Sequence, residues 1–91
     1  LEPFLTVPKN FNIEDTVTEE KIKKIVENYP DVKKVGRILS LKFENIIKID
    51  IDCSFDKELS IENVHDLTSE IEHAIRLEIN NSVITIHPEP N

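Results

Sequence analysis

The sequence predicts an α+β two-layer sandwich, with elements in the order α-β-β-α-β and two helices on one face of a three-stranded sheet. Three observations predict it. Two segments place apolar residues at helical spacing, one from Ile22 to Tyr29 and one from Ile61 to Glu78. The stretch Ile46 to Phe55 alternates apolar and polar residues with the period of a strand. The chain has 91 residues, which is room for one compact domain and not for two.

Residues 1–13 (LEPFLTVPKNFNI) carry two prolines and no lasting periodicity, and are expected to form a linker or arm, with Phe4 to Val7 as a short strand. The folded domain is expected to span 14–91. Thr16 followed by Glu19 suits a capping box, with Thr18 as a competing cap. Ile22, Ile25, Val26 and Tyr29 then fall at i, i+3, i+4 and i+7, and Pro30 stops the helix. In Val35 to Phe43 the odd positions Val35, Leu39, Leu41 and Phe43 are apolar. In the next strand Ile47, Ile49, Ile51, Cys53 and Phe55 share one face, and Lys48, Asp50, Asp52 and Ser54 the other. Glu44-Asn45 reads as the tight turn of an antiparallel hairpin.

Ser60 caps the second helix, whose inner stripe is expected to run through Ile61, Val64, Leu67, Ile71, Ala74, Ile75 and Glu78. Asn80-Asn81 is a suitable stop, because Asn tolerates the left-handed conformation. The last strand, Ser82 to His87, is closed by Pro88 and Pro90. The sum of these elements is ferredoxin-like in arrangement.

Composition narrows the function. The net charge is -7, from 18 acids against 11 bases. Nucleic acid is therefore excluded as a partner and anionic membrane surfaces are disfavoured, since both require clustered Lys and Arg. A single cysteine, Cys53, rules out an internal disulfide and any paired-cysteine motif. Its core parity reads as a buried, inert thiol. No apolar run approaches the roughly 18 to 20 residues of a membrane span. The chain has no methionine and begins at Leu1, so it is expected to be a piece of a longer protein. Catalysis has little support, because the lone glycine, Gly36, builds no phosphate loop and no Ser or Cys sits in a nucleophile motif.

Parity sends Asp50 and Asp52 to the sheet face opposite the helices. Ile84 and Ile86 are the expected core pair of the last strand, which turns Thr85 and His87 outward with Glu89 on the same side. If the two strands are neighbours, carboxylates and an imidazole gather on one face, a donor set that suits a hard or borderline divalent cation such as Zn²⁺. Taken alone, His87-Pro88-Glu89 is a weak motif and reads more readily as a solvated strand end. His65 lies near the start of the second helix and reads alone as a boundary residue, and His73 falls on its polar face and receives no role.

The segment KIDIDCSFDKELSIENVHDLTSEIEHAIRLEINNSVITIHPEP resembles the cytoplasmic domain of the cation diffusion facilitators, also called cation efflux proteins. The matching features are a polar strand residue, the helix with His in SIENVHDL and TSEIEHAI, and the closing ITIHPEP. The helix near Thr16 and the step YPDVKKV extend the resemblance to about residues 16–90. It implies that Asp52, His65, His87 and Glu89 occupy metal-ligand positions. The family often has His where Asp52 stands and commonly Asp where Glu89 stands. A further ligand would fall at Gly36, which has no side chain to offer, so one ion per subunit, or a site completed by water, is the expectation. His65 would have to reach the site around the sheet's edge, or across a dimer.

The resemblance implies no enzyme. It implies a cytoplasmic metal-sensing and dimerisation domain of a divalent cation efflux transporter in the cell membrane. Its partners would be Zn²⁺ or another divalent transition metal, a second copy of the chain, and the transmembrane domain of the same protein. Two other readings stand beside it: a metal-independent structural dimerisation module, and a small-molecule-binding regulatory domain.

Overall fold

A computed structural model describes residues 13–14 and 16–90. The elements are β1 (Ile13–Glu14), α1 (Thr16–Glu27), β2 (Val32–Phe43), β3 (Ile46–Phe55), α2 (Ile61–Glu78) and β4 (Ser82–Glu89). Both helices cover one face of the sheet, as expected from their stripes. Strand order is β1-β2-β3-β4. The three long strands are the expected ones, and β1 adds two residues at the β2 edge, pairing Ile13 with Lys42 and Glu14 with Leu41. The short strand expected at Phe4 to Val7 lies outside the described residues.

β2 and β3 form the antiparallel hairpin, turning at Glu44, whose φ of 58° is left-handed. β3 and β4 are parallel, and α2 is the crossover that such a pair requires. β2 starts three residues earlier than the alternation suggested, and β4 runs two residues further, to Glu89. α2 opens on Ser60, whose hydroxyl accepts from the Asn63 amide at 3.0 Å. The reversal into β4 places Asn81 at φ 57°, the left-handed step Asn tolerates.

Ile22 and Val26 of α1, Ile49, Ile51 and Cys53 of β3, and Ile71 and Ile75 of α2 are fully buried between the layers. Ile84 of β4 closes the same core. Ile61 departs from the expected stripe. It is 90 % exposed, because the first helical residue precedes the point where α2 meets the sheet. Glu19 also differs from expectation: its carboxylate accepts from the backbone amide of Ser40 in β2 at 2.9 Å, so it tethers α1 to the sheet.

The odd positions of β2 do not share a face. Val35 pairs with Cys53 on the helix side, whereas Leu39 pairs with Asp50 and Leu41 with Lys48 on the open side. An extra residue lies between Val35 and Ile38, a β-bulge that exchanges the two faces of the strand. Ile38 therefore joins the residues packed on the core, and Ser40 is fully buried. Among the described residues, no helix is long and apolar enough to cross a membrane.

Candidate metal centre

β3 and β4 decide which side chains meet on the open face. Their parallel register sets Asp50 beside Thr85, Asp52 beside His87 and Ser54 beside Glu89. Alternation puts Ile49, Ile51 and Ile84 into the core, so Asp50, Asp52 and His87 project to the other side. The expected gathering of carboxylates and imidazole on one face is present. His87 Nε2 stands 3.9 Å from Asp50 Oδ1, and the same oxygen accepts from Lys48 Nζ at 3.2 Å.

A small cleft of about 100 Å³ is lined by Arg37, Leu39, Asp50, Asp52 and His87. Arg37 enters it through the bulge. Gly36 crosses so close to β3 that a Cβ there would lie 3.2 Å from the Asp52 carbonyl oxygen and 3.4 Å from the Asp52 Cβ. A side chain at position 36 would thus stand directly against Asp52. With glycine in place, the next residue, Arg37, supplies the β2 side chain of the cleft.

Glu89 lies apart from this cleft. It lines a neighbouring one of about 360 Å³ with Lys34, Gly36, Cys53, Ser54 and Pro90. The Ser54 hydroxyl donates to the Pro90 carbonyl at 3.3 Å, which pins the end of β4 and helps bury Ser54, a residue expected on the open face. His65 is exposed on α2, and its carbonyl accepts from the Thr68 hydroxyl at 2.9 Å. α2 packs against the helix side of the sheet, so one chain does not bring His65 to Asp52 and His87. His73 is exposed on the same helix.

The donor chemistry suits a divalent cation: two carboxylates and an imidazole on a rigid sheet, with no thiolate available. Cys53 points into the core at 1 % exposure, and burial, then the charges of Asp52 and Glu89, push its thiol up to about 11. Among the described residues, no three His, Cys, Asp or Glu side chains converge closely enough to hold an ion within one chain. The open sheet face presents two carboxylates and an imidazole side by side. Sequence parity expected Asp52 and His87 on the open face, where they line this cleft. It did not identify Arg37, because nothing in the alternation of β2 announces a bulge beyond the lone glycine.

A family model described as the cytoplasmic domain of cation efflux proteins matches residues 15–91. Among solved structures, the metal-bound C-terminal domain of the CzcD transporter from Thermotoga maritima is 24 % identical, with a TM-score of 0.76. That match covers 82 % of this chain and 88 % of the other. CzrB, a candidate zinc transporter, is 18 % identical over 85 % of this chain and 96 % of its own, with a TM-score of 0.78. A nickel form of the MamM C-terminal domain is 17 % identical over 85 % and 99 %, with a TM-score of 0.76. These likenesses show the fold. No curated protein matches the sequence.

Proposed function

The chain belongs to the family of cytoplasmic domains of cation efflux proteins, a family of transporter domains and not of enzymes, and from that premise we propose that it senses a divalent cation through its dimer. Zn²⁺ is the favoured ion, supported by the oxygen and nitrogen donors of the open face and by the description of the similar CzrB as a candidate zinc transporter. The carrying observation is the register of Asp52 beside His87, with both side chains on the sheet face that the helices leave uncovered.

In this reading Asp52 and His87 are the core ligands. Glu89 joins them by a modest movement at the end of β4. His65 is contributed across the dimer, since α2 of the same chain lies on the other side of the sheet. The domain acts on a transmembrane portion of the same protein in the cell membrane. Without the cation, the acids at the interface repel one another, and binding removes that repulsion and joins elements of two copies. A coupling of ~1–3 kcal/mol is enough to bias a transporter between conformations.

Gly36 favours one competing reading, a dimerisation module that responds to no metal, because it leaves a ligand position without a side chain. Calorimetric titration of the metal-free domain with Zn²⁺, beside His87→Ala, separates the two. Saturable binding that the substitution abolishes is expected. Histidine ligates as neutral imidazole, so affinity should also weaken as pH falls. A domain that takes up no Zn²⁺ at any pH from 5 to 8 would establish the structural module.

A further inference from the structure

The open face is not polar throughout. Strand parity puts Leu39, Leu41 and Phe43 of β2 on it in one column, since they pair with Asp50, Lys48 and Ile46 of β3. Val83 of β4 stands on the same face beside Lys48. Phe43, Ile46 and Val83 are exposed, and Leu39 and Leu41 are half-buried. Among the described residues nothing covers this end of the sheet, and a contiguous apolar patch left open marks a surface on which something docks.

The chain itself brings an apolar segment to this place. β1 pairs Ile13 with Lys42, the residue before Phe43, so residues 1–12 join the sheet at its apolar end. Phe4, Leu5 and Val7 are apolar, and the five residues from Pro8 to Asn12 separate them from Ile13. Five residues span at most about 17 Å. From β1, the β2 column lies one strand spacing away and β4 three, which is about 5 and 14 Å. Pro8 and Asn10 are residues that suit the reversal this path needs.

We propose that Phe4 to Val7 pack on the open face of their own chain, as a strap over Leu41, Phe43, Ile46 and Val83. Two arguments favour the chain's own segment over a second copy. A short tether holds its segment at an effective concentration on the order of millimolar, which a separate chain has to reach by mass action. The patch also offers five apolar side chains, against the roughly 20–30 residues that each side of a stable protein interface contributes. The proposal does not rest on the metal reading, because Asp52 and His87 lie at the other end of the face. In the function proposed above, the strap fixes how the sheet is held against the rest of the transporter.

The test is NMR on the full chain with labelled methyl groups and Phe rings. Nuclear Overhauser contacts are expected from Phe4, Leu5 and Val7 to the Ile46 and Val83 methyls. Phe4→Ser combined with Leu5→Ser should abolish those contacts and shift the Ile46 and Val83 signals. The Ile49 and Ile75 methyls, fully buried in the core, should stay in place and show that the variant is folded. An isotope-filtered spectrum of mixed labelled and unlabelled chains then tells whose segment is bound, and contacts confined to one chain are expected. Contacts found only between chains would give the patch to a second copy. Absence of contacts, with Ile46 and Val83 unmoved by the double substitution, would leave the patch bare. Either result overturns the proposal.

Discussion

Cys53 and Asp52 are adjacent in β3 and face opposite layers, so the same strand carries an inert thiol inward and a candidate ligand outward. The thiol is raised from 9.0 to about 11, first by desolvation and then by the charges of Asp52 and Glu89. The folded state therefore keeps the proton that the unfolded chain releases near pH 9. Between pH 9 and 11 the native state binds more protons than the unfolded state, and stability must fall as pH rises. The contribution is about 1–2 kcal/mol over that window. Urea unfolding at pH 8.5 and 10.5 should show a steeper loss for the wild type than for Cys53→Ala, whereas parallel losses would mean that the thiol is not held neutral by the fold. The same burial predicts that thiol reagents label Cys53 only through opening of the domain.

At the scale of elements, Glu19 does more than its position in α1 suggests. Among the described residues, β1 pairs with residues 41 and 42 of β2, and no strand pairs with Ser40 on its outer edge. The Glu19 carboxylate takes the Ser40 amide at 2.9 Å, so the helix both satisfies and covers the edge. Glu19→Ala is expected to cost about 1–2 kcal/mol and to speed hydrogen exchange of the Ser40 amide ahead of its neighbours in β2. Unchanged protection at Ser40 would show that the contact is dispensable. Sequence periodicity made the hairpin, both helices and the last strand legible, because each buries one face and the apolar residues record that face. It also placed Asp52 and His87 correctly, since β3 and β4 alternate without interruption. β2 was legible as a strand and misleading as a pattern: the bulge around Gly36 turns Leu39 and Leu41 to the open face, and sequence spacing counts straight through a bulge. Glu19 was misread for a related reason. A capping box is a local motif, and its acid was taken by a partner 21 residues away.

For the whole molecule, the sheet is covered on one side and open on the other. The open face divides along its length. Phe43, Ile46 and Val83 lie exposed toward the hairpin end, and Asp50, Asp52 and His87 lie toward the other. Each chain carries a net charge of -7, so a second copy meets repulsion unless a cation lies between. In the proposed reading, that balance links the carboxylates and imidazole of the open face to a dimer whose packing depends on the ion. It also explains why a fold with a plain apolar core keeps carboxylates and an imidazole on its uncovered face. The direct test is the distance between the two copies of a dimer, measured by pulsed electron resonance on spin labels at Lys57→Cys in a Cys53→Ala background, with and without Zn²⁺. The account predicts that Zn²⁺ shifts and narrows the distance distribution, and that His87→Ala removes the shift. An identical distribution with and without the ion, in a protein that binds it, would contradict the account.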